Sequence, residues 1–294
     1  MVVVVKIGGA RAVEPEGALA DVARLTANGE SDEPRSADGS NGRGPRERVV
    51  VVHGGSTAVD ELLADLGKEP EYVTTPGGVT GRFTDEETME AFTMAMAGRV
   101  NTDLTVALRN EGVNALGLSG VDGGLLTGPR KSAVRVIEDG RKKIKRGDHS
   151  GTIESVNSGL LETLLESGYT PVVSVPMLAD DGVAVNADAD RAAAAVAGAL
   201  GASLVVLTDV AGMYEDPNDP ETLIESAETP AELERVEESA EGFMTKKVMA
   251  AKEALSGGAH EVIVSDANLN DPILAALDGH GTRFGPGALG GEDG

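Results

Sequence analysis

The chain has no cysteine and no tryptophan, and aromatics make up only 2% of its 294 residues. Without cysteine, disulfides and thiolate metal sites are excluded. With four phenylalanines and three tyrosines, the core must be built from Val, Leu, Ala and Ile, which the 40% hydrophobic content can supply. No apolar run reaches bilayer-spanning length. Val2 to Val5 runs straight into Lys6-Ile7-Gly8-Gly9, which is not the layout of a signal peptide. A soluble, cytoplasmic protein is therefore expected. Lysine is scarce too: nine against sixteen arginines, with 49 acidic residues and a net charge of −24. Such a surface repels nucleic acid, and the periodic segments below argue against disorder. Acidic, lysine-poor and rich in Ala and Gly, the composition resembles that of salt-in haloarchaeal proteins. Their hydrated carboxylates keep them soluble in molar salt, where repulsion is screened. A halophilic source is expected.

What is present begins with an organising stretch. Val2-Val3-Val4-Val5-Lys6-Ile7 is an apolar run without alternation, as in a parallel-sheet strand buried on both faces. Its one lysine lies near the carboxyl end, directly before Gly8-Gly9, where backbone N–H groups can approach an anion closely. Val49 to Val52 repeats the design and ends in His53-Gly54-Gly55-Ser56. At a strand end His53 could serve catalysis or structure, and structure is the commoner role. Two strand–Gly-Gly–helix units suggest a doubly wound sheet with both glycine turns at one edge. The length suits one large α/β domain or two fused lobes.

The rest of the chain alternates strands and helices. Helical spacing covers Ala12 to Ala27 and Ala58 to Leu66. Asn28 to Arg48 has no apolar residue but Ala37 and reads as a disordered surface insertion. Asp85 to Asn110 is a long helical pattern with Thr84 as its N-cap. Strands follow at Val113 to Leu118, Thr170 to Val175 (ending at Pro176), Val183 to Val185, Ser203 to Leu207, Val262 to Ser265 and Gly281 to Phe284. Helices are expected at Val156 to Ser167, from Asn186 to Leu200, at Pro230 to Glu238 and at Thr245 to Leu255. Residues 130–153 form a basic hairpin. From Arg130 to Arg146 there are eight basic residues against Glu138 and Asp139, a net +6, so the remainder carries −30.

Lys6 with Gly8-Gly9, His53-Gly54-Gly55, Gly78 to Arg82, Asn186-Ala187-Asp188, Thr208-Asp209-Val210-Ala211-Gly212 and Met244 to Lys247 occur in an order that resembles the amino acid kinase family, in its acetylglutamate kinase branch. The likeness covers nearly the whole chain. It implies a three-layer α/β/α sandwich with a mainly parallel central sheet, in two lobes. Residues 1–178 would bind the carboxylate substrate and residues 179–294 the nucleotide. It also implies transfer of a phosphoryl group from ATP with Mg2+ to a carboxylate, with no metal site made by protein alone. Donor and acceptor are both anionic, so positioning and charge neutralisation carry the chemistry.

By the resemblance, Lys6 and Lys247 would hold the transferring phosphoryl from two sides, and Asp188 would fix both ammonium groups. Its plain alternative is helix capping. Gly8, Gly9, Gly54 and Gly55 would supply backbone N–H groups. Arg82 would take the substrate's α-carboxylate as a bidentate fork, with Asn186 nearby. Thr208, Asp209, Gly212, Tyr214, Met244 and Lys246 would line the nucleotide site. Acetylglutamate kinases commonly show Asn-x-Asn-Ala-Asp, whose first Asn helps to bind the substrate's α-carboxylate, and here that position is Ala184, in Ala184-Val185-Asn186-Ala187-Asp188. That departure points to a sister group acting on glutamate or aminoadipate attached to the acidic amino-group carrier protein LysW, in arginine or lysine synthesis. The basic hairpin, through Arg141, Lys142, Lys143 and Lys145, would dock such a carrier. A homodimer is the family's common state. The rivals are a kinase for free N-acetylglutamate and a non-catalytic nucleotide-binding regulator. Retention of both lysines with Asp188 argues against the latter, and a carbamate, aspartate or nucleoside monophosphate kinase would have no use for the hairpin.

With −30 outside the hairpin, self-repulsion is long-ranged in dilute buffer and relieved by screening. The melting temperature should rise steeply from dilute buffer to molar potassium chloride. A flat profile would count against the halophilic reading.

Overall fold

An unbroken apolar strand needs neighbours on both edges and cover on both faces, and β1 (Val2–Ile7) has both. The computed structural model describes residues 1–8, 15–27, 47–78, 80–138, 140–216, 218–240 and 242–290. Gly9 and most of the expected insertion lie outside the described residues.

The first half of the chain continues with α1 (Glu16–Thr26), β2 (Arg48–His53) and α2 (Ser56–Asp65). A small hairpin, β3 (Tyr72–Thr74) and β4 (Thr80–Arg82), leads into α3 (Glu86–Thr93), a π-helical stretch (Met94–Val100) and α4 (Asn101–Asn110). Then come β5 (Ala115–Gly120), β6 (Leu126–Gly128), the long hairpin β7 (Arg130–Glu138) and β8 (Arg141–Gly151), β9 (Ser155–Val156), α5 (Ser158–Glu166) and β10 (Thr170–Ala179). The second half runs β11 (Ala184–Val185), α6 (Ala189–Leu200), β12 (Ser203–Thr208), β13 (Met213–Tyr214), β14 (Leu223–Ile224), β15 (Ser226–Ala227), α7 (Pro230–Ser239), α8 (Phe243–Ser256), β16 (Glu261–Asp266), α9 (Pro272–Leu277) and β17 (Thr282–Phe284).

These elements form a three-layer sandwich. Its eleven-stranded sheet has the order β15-β17-β16-β12-β1-β2-β10-β6-β9, with β5 and β11 also paired to β10. Around β1 every pairing is parallel. One apolar layer packs Val4, Val50, Val52 and Val206 against α6 and α8; the other packs Val3, Val5, Ile7, Val49 and Val51 against α1, α4 and α9. Because β1 pairs with β12 on one edge and β2 on the other, the sheet runs unbroken through both halves, and the expected boundary at residue 178 falls inside β10. Among the described residues no helix is long and apolar enough to cross a membrane.

Three local expectations change. The cap of α3 is Asp85, whose carboxylate accepts from the Thr88 N–H at 2.8 Å; Thr84 instead accepts from Asn186 and from the His149 N–H. Strand β10 passes through Pro176 to Ala179. Its pairing with β2 and β5 ends at Ser174, and pairing with β11 begins at Met177 and with β6 at Leu178, so the missing N–H falls in a gap in the ladder. Helix α9 has six residues, too few to show periodicity in the sequence. Its first N–H groups, of Ile273 and Leu274, are capped by the buried Asp21 of α1.

The approach of α6 to α8 bears most on the site. Arg191 forks onto Glu253 across the pair, and a Cβ on Gly198 would come within 3.0 Å of the Gly257 backbone. Gly198→Val should part these helices and lower the free energy of unfolding by about 1–3 kcal/mol, read as a shifted urea midpoint. An unchanged midpoint would show that the close approach is not needed.

Candidate functional site

The ends of β1 and β2 and the N-termini of α6 and α8 converge at the carboxyl edge of the sheet. That is where open α/β sheets bind ligands. Lys6 is the penultimate residue of β1 and is 7% exposed; Lys247, in the first turns of α8, is 9% exposed. Between them stands Asp190. Its Oδ1 lies 2.7 Å from Lys6 Nζ and its Oδ2 3.7 Å from Lys247 Nζ. Burial alone would raise the Asp190 carboxyl, but the charges of Lys6 and Lys247 outweigh it and hold the carboxyl below the usual range. Burial pushes Lys247 down; Asp190 draws it back up, while Lys6 adds to the lowering.

The sequence reading gave this bridging role to Asp188, and the geometry gives it to Asp190. Asp188 is the N-cap of α6: its backbone is extended, and its carboxylate accepts from the N–H groups of Asp190 (2.9 Å) and Arg191 (3.2 Å). A carboxylate folded onto its own helix cannot also span two lysines. Its charge still reaches Lys247. The stretch Asn186-Ala187-Asp188-Ala189-Asp190 contains Ala-Asp twice, so the sequence offered two registers two residues apart. Set on Asp190, the pattern Asn-x-Asn-Ala-Asp begins at Asn186, and its departure moves from Ala184 to Asp188.

The glycine turns are only partly free to bind an anion. Gly54 N–H is already committed to the Ile7 carbonyl at 3.0 Å, extending the β1–β2 ladder by one bond. Gly55 precedes α2 and is buried; a Cβ there would meet Met96 Sδ at 2.6 Å, so a side chain would require the Met96 thioether to move. Gly8 follows β1 and is half-buried.

Arg82, on β4, is tied to the Asp60 carboxylate, to the Ser56 carbonyl at 2.9 Å and to the Tyr72 hydroxyl at 3.3 Å. Its Nε is buried and has no hydrogen-bond partner among the described residues. Asn186 donates to Thr84 Oγ1 at 3.0 Å, and its backbone joins residues 149–151, so it ties the start of α6 to the long hairpin. On the other side, Thr208 ends β12 and bonds Asp209. Gly212 packs under Thr282, where a Cβ would come within 2.6 Å of Oγ1; Tyr214 lies on β13, and Met244 opens α8 against the core. Lys246 Nζ reaches the Thr80 carbonyl at 3.4 Å, so α8 touches the Arg82 hairpin.

The β7–β8 hairpin leans on that same region. Lys145 lies 4.3 Å from the centroid of the Phe83 ring and pairs with Glu71, and Lys143 pairs with Glu138. Register and alternation place Arg141, Lys143 and Lys145 on one face with Val134 and Val136. Arg135, Ile137, Lys142, Ile144 and Arg146 share the other. Ile144 is 68% exposed. Lys142 alone of the four expected docking residues sits on that second face.

Two buried cations about one carboxylate, at the end of a parallel sheet, are equipped to neutralise a multiply charged anion. The amino acid kinase family model matches residues 1–266, and the chain belongs to that family. It is 42% identical over 282 residues to a [LysW]-aminoadipate kinase of Deinococcus radiodurans, covering 95% of this chain and 90% of that protein. It is 43% identical over 236 residues to an acetylglutamate kinase of Methanopyrus kandleri, covering 79% of this chain and 89% of that one. In fold it matches a carbamate kinase from Giardia lamblia bound to AMP-PNP, with a TM-score of 0.65 and 16% identity, covering 97% of this chain and 98% of the other.

Removing the bridging carboxylate's charge strands two buried cations beside each other. Asp190→Asn should therefore cost about 3–5 kcal/mol of unfolding free energy. Asp188→Asn should cost well under 1 kcal/mol, because Asn caps a helix as well as Asp. Urea titrations of the two variants separate the roles, and equal losses would return the bridge to Asp188.

Proposed function

We propose that this chain is an ATP-dependent kinase for the side-chain carboxylate of glutamate or aminoadipate carried on the acidic protein LysW, in arginine or lysine synthesis in a salt-rich cytoplasm. The observation that carries the choice of substrate is the basic hairpin, seated beside Arg82 on a chain whose remainder sums to −30. Family membership and the relative named for a LysW-linked substrate support it.

In the proposed step an acceptor carboxylate oxygen attacks the γ-phosphorus of ATP. The bond from that phosphorus to the bridging oxygen of ADP breaks, leaving an acyl phosphate and ADP. The acceptor is already ionised, so no base is needed. Lys6 and Lys247 neutralise the phosphoryl oxygens in flight, and Asp190 stands between the two ammonium groups. Mg2+ would travel on the nucleotide's phosphates. The unpartnered Nε of Arg82 leaves a donor for the substrate's α-carboxylate. Residues 179–294 would hold the nucleotide through Thr208, Asp209, Gly212, Tyr214, Met244 and Lys246, residues 1–178 would hold the acceptor, and the working unit would be a homodimer.

A second reading, a kinase for free N-acetylglutamate, is favoured by one observation. With the pattern set on Asp190, Asn186 occupies the position where Ala184 had stood as a departure. The relative from Methanopyrus kandleri bears that name.

Acetylglutamate, carrier-linked glutamate and carrier-linked aminoadipate offered side by side decide between the two readings. Carrier-linked substrate should give the highest kcat/KM. Reversing Arg135, Lys142 and Arg146 to Glu on the exposed hairpin face should raise its KM roughly ten-fold or more, mainly through association rate, and spare the KM for ATP. A reversed variant that handles the carrier-linked substrate normally would favour the acetylglutamate reading.

A further inference from the structure

His53 is fully buried where β2 meets the Gly54-Gly55 turn. Ile7 is its register partner, so its ring lies on the sheet face of Val49 and Val51, opposite the face of Val50, Val52 and Lys6. Its Nε2 is 3.0 Å from Asn101 Nδ2. The same Nδ2 is 2.8 Å from the Val172 carbonyl, which can only accept. That contact fixes the amide's orientation, and both Nδ2 hydrogens are then used. Nε2 must therefore accept, and the ring proton resides on Nδ1, which donates to the Gly54 carbonyl at 3.1 Å. Burial pushes the imidazole down to about 4, so it is neutral at ordinary pH.

The surrounding chain makes room for this chain of bonds. Asn101 is the first residue of α4, immediately after the π-helical stretch. It leans on Gly117 of β5, where a Cβ would come within 2.3 Å of Asn101 Oδ1. The Gly54–Gly55 peptide is trans, so its C=O and N–H point oppositely. With the carbonyl held toward His53, the Gly55 N–H turns to the face that carries Lys6. Gly54 N–H is already bonded to Ile7, whereas the Gly55 N–H has no bond among the described residues and can donate.

We infer that Asn101 and His53 are positioning residues for phosphoryl transfer. Asn101 sets the His53 tautomer, His53 anchors the Gly54 carbonyl, and the Gly55 N–H is thereby aimed at the oxygen on which charge develops. The inference rests on the kinase reading above. It explains why a buried, neutral histidine follows the valine run 49–52 at the end of its strand. A donor aimed in this way counts most in the transition state, so its loss falls on kcat and leaves substrate binding little changed.

Two measurements test it. Long-range 15N–1H correlation spectra of the wild-type protein, which has four histidines, should show His53 neutral with its proton on Nδ1. Steady-state kinetics of His53→Leu should show kcat reduced about 30-fold or more, with both KM values within about three-fold of wild type. Asn101→Leu should lower kcat in the same sense and broaden or shift the His53 signals. A proton on Nε2 overturns the inference without any activity measurement, and remains decisive if the variants fail to fold. A His53→Leu enzyme with wild-type kcat overturns it also. If wild-type protein phosphorylates no carboxylate acceptor, the kinase reading fails instead, and the tautomer result stands apart from it.

Discussion

Two ammonium groups buried within reach of one carboxylate set the terms for the rest of this molecule. Like charges in a dry site repel strongly, and each loses its hydration on burial. Lys6 and Lys247 are tolerable there because Asp190 stands between them, itself kept ionised by the pair. The fold must bring β1, α6 and α8 to one point to allow this. The parallel sheet supplies the strand end, the Asp188 cap starts α6 at the right residue, and the close passage of Gly198 against Gly257 keeps α6 on α8. Two cations brought to one strand end can neutralise the oxygens of a multiply charged anion.

Around that point the chain places groups with unequal freedom. Gly54 N–H and Arg82 Nη2 are already bonded within the protein, whereas Arg82 Nε has no hydrogen-bond partner among the described residues. The hairpin β7–β8 touches the Arg82 region through Lys145, Phe83 and Glu71, and shows solvent a face of three cations and two isoleucines. Charge complementarity of that kind favours fast encounter with an acidic protein, while exposed Ile144 offers short-range contact that salt does not screen.

Much of this was legible in the residues. A valine run with a terminal lysine states a buried strand, and the second run before His53 repeats it. The order of the glycine, arginine and lysine motifs carried the family. Errors fell where a local signal had two readings. Thr84 and Asp85 can each cap a helix, and only the Thr88 N–H chooses Asp85. Pro176 ordinarily ends a strand, yet here it falls where β10 changes partners. Helix α9 is too short for periodicity to reveal.

The sequence by itself determined the layers, the parallel core and the two lysines, because burial pattern and motif order are one-dimensional properties. The tertiary structure alone decided that Asp190 bridges them. Asp188 and Asp190 follow the same residue in the same short stretch, and what separates them is which carboxylate turns back to cap the helix and which faces β1. The role of His53 was likewise decided in space, by an asparagine 48 residues away whose amide has one hydrogen left for the ring.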